Sequence, residues 1–198
     1  MAKTLLELAG ADLTPPALSD TALVVIDAQR EYVDGKLPLP GAAIALANIA
    51  RLLEKARAAG APVIHVQHKG KAGGLFDPAT TSFALADQAA AKDGESVVEK
   101  GLPNAFAGTN LKDVLDATGR KRLVLAGFMT HMCVSSTARA ALDLGFQTVV
   151  VSDASGTRDL PVPGDDGEVL TAGDLHRAEL AMLADRFAIV CTTDQLAA

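Results

Sequence analysis

Three side chains that together can carry out acyl transfer follow predicted strands of this chain. Cys133 comes after the apolar run 123–126 and a short polar turn, where a buried strand gives way to a helical pattern. Asp27 ends the first apolar run, and Lys100 closely follows a short third one. A thiol at the start of a helix tends towards thiolate, which is the nucleophilic form. These residue types therefore suit attack by sulfur on a carbonyl carbon.

Each of the three residues has a definite role in such a reaction. Cys133 would attack, Asp27 would accept the thiol proton and later deliver it to the leaving nitrogen, and Lys100 would keep Asp27 ionised. Backbone N–H groups at Met129 and Cys133 are the candidates for stabilising the oxyanion. We also expect a thiol pKa below the ordinary value of about 8.5.

The same residues have plain structural alternatives, which the sequence leaves open. Cys133 can be a small apolar residue packed under a turn. Asp27 can be a helix cap or a turn residue, and Lys100 a solvated surface lysine.

The elements around these residues alternate between apolar strand patterns and amphipathic helix patterns that end at glycine. The predicted strands are 21–26, 61–67, 96–99, 122–126, 147–151 and 188–191, and the predicted helices are 41–59, 111–118, 132–144 and 173–184. This alternation predicts an α/β domain with a parallel sheet between two layers of helices. Ligands bind beyond the carboxyl ends of strands in such sheets, so Asp27, Lys100 and Cys133 are expected at one edge.

Four motifs occur in order along the chain: Val25-Ile26-Asp27-Ala28-Gln29, Glu99-Lys100 followed by 105–109, 127–134, and 137–146. In this order they resemble the isochorismatase-like cysteine hydrolases, which include nicotinamidases, carbamoylsarcosine amidohydrolases and ureidoacrylate hydrolases. The resemblance implies that Asp27, Lys100 and Cys133 form a catalytic triad and that a thioester intermediate is released by water. It also implies a cis peptide bond between Phe128 and Met129, which would turn the Met129 N–H into the oxyanion hole.

The resemblance further implies the overall architecture. It is a three-layer α/β/α fold with a six-stranded parallel sheet in the order 3-2-1-4-5-6. Homo-oligomers, dimers or larger, are expected.

The histidines depart from the nicotinamidase pattern. Nicotinamidases carry an Asp-x-His metal motif after the second strand, whereas this chain has His65 and His68 there, without the aspartate. Two imidazoles need a third converging ligand to hold zinc, so we predict no metal and no other cofactor. His65 is expected to be packed or hydrogen-bonded, while His68 either faces substrate or is a plain loop residue. His131 and His176 are not expected to pair with Cys133, and His176 is expected near the surface.

Side chains near the motifs are predicted to line a substrate pocket. They are Gln29, Tyr32, His68, Phe76 and Phe106. Packing in the core or at an interface is the alternative for the three aromatic residues. The two long connections 69–95 and 154–172 are expected to be binding loops, lids or subunit contacts.

Length and composition limit the classes of function. The 198 residues, 49% of them hydrophobic, predict one domain over 20–198 with an N-terminal arm over 1–19. A net charge of −6 without a basic run argues against a nucleic-acid partner. The chain has neither a basic amphipathic stretch nor an apolar run of about 18 residues, so we expect no membrane partner. Two cysteines and a first segment unlike a signal peptide favour free thiols and a cytoplasmic location.

The sequence therefore predicts a cofactor-independent cysteine hydrolase that cleaves a C–N bond of a small amide, carbamoyl or ureido compound. Vinyl-ether hydrolysis of the isochorismatase type is one alternative, although enzymes with that activity do without the nucleophilic thiol. A thiol-dependent redox role and a non-catalytic ligand-binding or interaction protein are the others.

Overall fold

The structure, a computed structural model, describes residues 2–164 and 167–197. Within these residues the strands are β1 (Ala22–Ile26), β2 (Val63–His68), β3 (Ser96–Lys100), β4 (Arg122–Phe128), β5 (Gln147–Gly156), β6 (Leu160–Pro161), β7 (Val169–Leu170) and β8 (Ile189–Cys191). Six of them form one parallel sheet in the order β3-β2-β1-β4-β5-β8. Because β8 is the sixth strand of this sheet along the chain, the predicted order is confirmed.

Five α-helices are found in the described residues. They are α1 (Leu5–Leu8), α2 (Ala42–Ala58), α3 (Leu111–Thr118), α4 (Ser135–Asp143) and α5 (Ala172–Arg186). All but α1, which contacts α5, pack on the sheet. The buried stripe of α2 packs on one face, and α3, α4 and α5 contribute to the core on the other. The three-layer α/β/α prediction is therefore confirmed.

The central strand β1 shows why its sequence is a continuous apolar run. All five of its residues are buried, and successive side chains point to opposite faces of the sheet. Leu23 and Val25 belong to the core under α2, whereas Val24 and Ile26 belong to the core on the other side. A strand covered on both faces needs apolar residues at every position.

Two features lie outside the predicted elements. Strand β5 continues five residues beyond the predicted 147–151, and β6 pairs antiparallel with β7 inside the predicted long connection 154–172. The extension is Ser152-Asp153-Ala154-Ser155-Gly156, which has no apolar pattern but still pairs with the end of β4. Among the described residues, no helix has both the length and the apolar character that a bilayer crossing requires.

The N-terminal segment packs against the domain of its own chain. The Leu5 N–H donates to Asp185 Oδ1 on α5 at 2.8 Å, and the Leu18 N–H donates to the Ala197 carbonyl at 3.0 Å. A cavity of about 650 Å³ lies between this segment and residues at the amino ends of β5 and β8. It is therefore at the opposite edge of the sheet from Asp27, Lys100 and Cys133.

Candidate active site

The parallel register places the three predicted residues at one edge of the sheet. Asp27 directly follows β1, and Lys100 is the last residue of β3. Cys133 lies in the turn after β4, the other neighbour of β1. His68 ends β2 and pairs in register with Lys100, so it joins the group from the strand between β1 and β3.

These side chains form a compact group, here called the four-residue cluster (Asp27, His68, Lys100 and Cys133). Lys100 Nζ lies 2.7 Å from Asp27 Oδ2, 3.0 Å from His68 Nδ1 and 3.3 Å from Cys133 Sγ. Apart from half-buried His68, each residue is at most 3% exposed. An ammonium thus sits among a carboxylate, an imidazole and a thiol, at hydrogen-bonding or ion-pair distance from each.

The backbone around Asp27 is shaped to bring its carboxylate towards Cys133. Asp27 has a left-handed φ of 49°, and its N–H donates to the Val66 carbonyl at 2.8 Å. On the neighbouring strand Gly127 has a φ of 117°, and a Cβ there would lie 2.0 Å from the Ile26 carbonyl oxygen. Only glycine lets β4 approach β1 this closely. The chain can then turn directly into the segment that carries Cys133.

That segment is a π-helical turn, Thr130–Val134, followed by α4. The sequence pattern predicts a single helix over 132–144, because periodicity does not distinguish a wide first turn from a regular one. The Phe128–Met129 peptide bond is cis. The Met129 carbonyl accepts from the Met132 and Val134 N–H groups, whereas no hydrogen bond from the Met129 N–H is found within 2–164 and 167–197.

The protonation states differ from the expected thiolate. Burial, reinforced by the Asp27 charge, raises the pKa of the Cys133 thiol to about 12. Burial also raises the pKa of Asp27 to about 6, although the Lys100 ammonium opposes that rise. The expectation of a lowered thiol pKa is therefore wrong, since it weighed the helix end and Lys100 but not burial. At neutral pH the site holds a thiol beside a carboxylate.

The burial of the Asp27 carboxylate suits it to receive a proton. Beyond the ion pair with Lys100, neither carboxylate oxygen has a hydrogen-bond partner of good geometry in the described part of the chain. Burial makes this carboxylate a stronger base than a solvated one, as its raised pKa indicates.

His68 takes part as a neutral imidazole. Burial and then the Lys100 charge lower the pKa of His68 to about 4. Lysine can only donate, so Nδ1 accepts from Lys100 and the proton resides on Nε2. The alternative of a plain loop histidine is not what the structure shows, because His68 ends β2 and belongs to the cluster.

A metal ion would compete with Lys100 for the same place. The donor atoms of Asp27, His68 and Cys133 lie within 4.8 Å of one another, which alone would suit a cation. The Lys100 ammonium already lies within 3.3 Å of each of them. His65, the other histidine of β2, is not part of the four-residue cluster, and its Nε2 lies 2.9 Å from Glu95 Oε2. The prediction that His65 is packed or hydrogen-bonded is therefore confirmed.

Two predicted pocket residues lie beside the cluster. The rings of Tyr32 and Phe76 pack edge to face with centroids 5.2 Å apart, and Phe76 also packs on His68 at 5.0 Å. Burial and the nearby Asp27 carboxylate raise the pKa of Tyr32. No hydrogen bond to the Tyr32 hydroxyl is found among the residues that the structure describes.

Gln29 and Phe106 are the remaining residues predicted to line the pocket. The Gln29 amide nitrogen donates to the His68 and Phe83 carbonyls, and its oxygen accepts from the His68 N–H. Gln29 thus holds the end of β2 in place, and its role in substrate binding stays a prediction. Phe106 stacks on Phe146, which precedes β5 at the amino edge of the sheet, so this contact does not bring Phe106 into the cluster.

The remaining histidines support the turn that carries Cys133. His176 Nδ1 lies 2.8 Å from Thr130 Oγ1, and His131 Nδ1 hydrogen-bonds to Thr157 Oγ1. His176 is half-buried, which is compatible with the expected position near the surface. Neither histidine pairs with Cys133.

Sequence reasoning missed Arg158, which follows the carboxyl end of β5. Its Nε is buried without a hydrogen-bond partner among the described residues, and its Nη1 donates to the carbonyl of the neighbouring Asp159 at 3.4 Å. Burial, followed by the Arg158 charge, lowers the pKa of His131, and the same charge acts on Tyr32. The available signal was a basic residue just after a strand at the candidate edge, hidden by the underestimated length of β5.

The chain is similar to known proteins over most of its length. A family model described as the isochorismatase domain matches residues 21–195. The chain is 41% identical over 186 residues to a secreted isochorismatase effector of Verticillium dahliae, covering 92% of this chain and 94% of that protein. It is 38% identical to a streptothricin hydrolase of Streptomyces noursei, covering 85% and 61%, and 32% identical to a ureidoacrylate amidohydrolase of Rhizobium rhizogenes, covering 69% and 70%.

Solved structures share the fold over nearly the whole chain. An isochorismatase from Pseudomonas putida has a TM-score of 0.93 at 43% identity, covering 99% of this chain and 100% of that one. An N-carbamoylsarcosine amidase from Thermoplasma acidophilum has a TM-score of 0.74 at 26% identity, covering 88% and 97%.

Proposed function

Because the chain belongs to the isochorismatase family of hydrolases, we propose that it is a cysteine hydrolase acting on a C–N bond of a small amide, carbamoyl or ureido compound. The observation that carries the proposal is the contact of Lys100 Nζ with both Asp27 and Cys133 in a buried site. Relatives named for ureidoacrylate and N-carbamoylsarcosine support this class of substrate.

The proposed reaction begins with the protonated thiol. Cys133 Sγ attacks the carbonyl carbon while its proton passes to Asp27, and the new oxyanion is stabilised by the free Met129 N–H, with the Cys133 N–H as a second candidate. The C–N bond then breaks as Asp27 returns the proton to nitrogen, which leaves a thioester and a free amine or ammonia. Water attacks the thioester with Asp27 as the base, and the acid and the thiol are released.

Lys100 has two functions in this scheme. Its charge keeps Asp27 ionised in a buried site, because an unpaired carboxylate there would be protonated. It also fixes His68 with its Nε2–H free, so that a neutral donor can face the substrate.

The proposal is tested by a panel of small amides, N-carbamoyl compounds and ureas, assayed for release of ammonia or amine. We expect turnover of at least one class that disappears when Cys133 is alkylated. Release of a carbonyl product from a vinyl ether with the same dependence would favour the alternative chemistry. Ligand binding without any turnover would favour the non-catalytic alternative.

We further propose that the substrate carries an acidic group that pairs with Arg158. Arg158→Gln is expected to raise KM for N-carbamoyl amino acids about tenfold or more, because a charge-assisted hydrogen bond is lost, while kcat changes little. Uncharged ureas should show no such change. Arg177→Gln, at an arginine that pairs with Asp174 on α5, is the control. An equal effect on charged and uncharged substrates would contradict the pairing.

Metal removal is expected to leave the activity unchanged, since Lys100 supplies the positive charge between Asp27, His68 and Cys133. The measurement is kcat/KM before and after dialysis against a chelator. Loss of activity that zinc restores would contradict the proposed mechanism.

The location and assembly of the protein stay predictions. Cys133 and Cys191 are both free thiols, which fits the predicted cytoplasmic location, whereas one relative is a secreted effector. The predicted homo-oligomer can be checked by light scattering.

A further inference from the structure

The loop that carries Phe76 is held in one tight conformation. The Gly70 N–H donates to the Phe76 carbonyl at 2.9 Å, and a Cβ at Gly70 would lie 1.8 Å from the Leu75 carbonyl oxygen. Phe76 itself has a left-handed φ of 55°, which bulky residues rarely adopt. Something outside the loop must therefore favour this backbone geometry.

The buried carboxylate of Glu31 supplies that support. Glu31 is 0% exposed, and its Oε2 accepts from the Phe76 N–H at 3.0 Å. Its other oxygen accepts from the Lys36 N–H at 2.6 Å. One carboxylate thus ties the loop of Phe76 to the segment that follows the turn Arg30–Tyr32.

The geometry of Phe76 reaches the candidate site through its ring. The ring lies between Tyr32, at 5.2 Å, and His68, at 5.0 Å, and it is 7% exposed. The Tyr32 hydroxyl and His68 Nε2 are the polar groups expected to face substrate. The Tyr32, Phe76 and His68 rings are here called the wall of the pocket. A change in the Phe76 backbone would therefore move this wall.

We propose that Glu31 is a positioning residue for the substrate pocket, acting through the Phe76 backbone on the Tyr32 and His68 rings. The inference rests on the proposed function, since it takes these rings to face the substrate. It adds a specificity element that is not part of the four-residue cluster.

Glu31→Gln tests the proposal because it keeps the size of the side chain but leaves one acceptor for two N–H groups. We expect KM to rise about tenfold with kcat within about threefold of the wild-type value, since a hydrogen bond to a charged group is lost away from the reacting atoms. Tyr32 is the single tyrosine and tryptophan is absent, so tyrosine emission and near-ultraviolet circular dichroism report on this wall. Both signals should change.

Glu95→Gln is the matched control, because Glu95 also accepts a backbone N–H, that of Lys92, and pairs with Arg57 away from the cluster. It should lower the melting temperature without changing KM or the Tyr32 signals. Wild-type KM and Tyr32 signals in Glu31→Gln, or changes equal to those in Glu95→Gln, would overturn the proposal.

Two further results distinguish a failure of the Glu31 proposal from a failure of the proposed hydrolase function. If Glu31→Gln does not fold, Phe76→Leu removes the ring contact directly and should give the same rise in KM and the same spectral change, and a wild-type result would overturn the inference. If the wild-type chain turns over nothing in the panel, the proposed function fails, whereas the Tyr32 signals of the two glutamate variants still decide whether Glu31 shapes the wall.

Discussion

Replacing Cys133 with alanine is expected to lower kcat/KM by at least about 10⁴-fold, because loss of a catalytic nucleophile typically has an effect of that size. The substitution removes a sulfur that lies 3.3 Å from Lys100 Nζ, and we expect the backbone of the π-helical turn to keep its conformation. The measurement is steady-state kinetics on the best substrate of the panel, with the melting temperature recorded alongside.

Cys191→Ala is the matched control for this prediction. Cys191 is also a buried free thiol, at the end of β8, where burial raises its pKa to about 11. It has no contact with the four-residue cluster among the described residues, so its removal should leave kcat/KM within about twofold, as for a site outside the reaction. If Cys133→Ala retained a tenth of the activity, sulfur could not be the nucleophile.

The pH dependence of the reaction is expected to follow Asp27. Its carboxylate form is the base, and burial raises its pKa to about 6, so kcat/KM should fall as pH decreases through about 6 and level off above it. Asp27→Asn should lower kcat/KM by about 10³-fold or more and remove this acidic inflection, because the amide cannot accept the thiol proton.

Asp153→Asn provides the comparison, since Asp153 accepts hydrogen bonds from Thr193 and an amide oxygen can do the same. The wild-type inflection should persist in that variant. An inflection near the free-thiol value of about 8.5 would instead indicate a preformed thiolate and contradict the role given to Asp27.

The sheet and the edge that carries the candidate site were predictable from local patterns. Apolar runs such as 21–26 and 122–126 mark strands buried on both faces, and parallel pairing brings their carboxyl ends together. These elements place Asp27, Lys100 and Cys133, which is why their proximity could be expected from the sequence.

Features that depend on side-chain direction or on burial could not be predicted in this way. The contact between Lys100 and His68 needs the exact register of β2 and β3, which two short runs do not define. The raised thiol pKa depends on the burial of Cys133 under elements distant in sequence. Gln29 lies in a motif beside Asp27, yet its amide faces the β2 backbone, because nearness in sequence does not determine which way a side chain points.

The central claim is that Cys133 forms a thioester, and trapping that intermediate tests it most directly. The reaction with the best substrate would be quenched in acid within the first turnover and the protein analysed by intact and peptide mass spectrometry. We expect an added mass equal to the substrate minus its amine leaving group, located on the peptide containing Cys133 and absent from Cys133→Ala. Steady turnover with Cys133 unmodified at every quench time, under conditions where thioester hydrolysis is made rate-limiting, would contradict it.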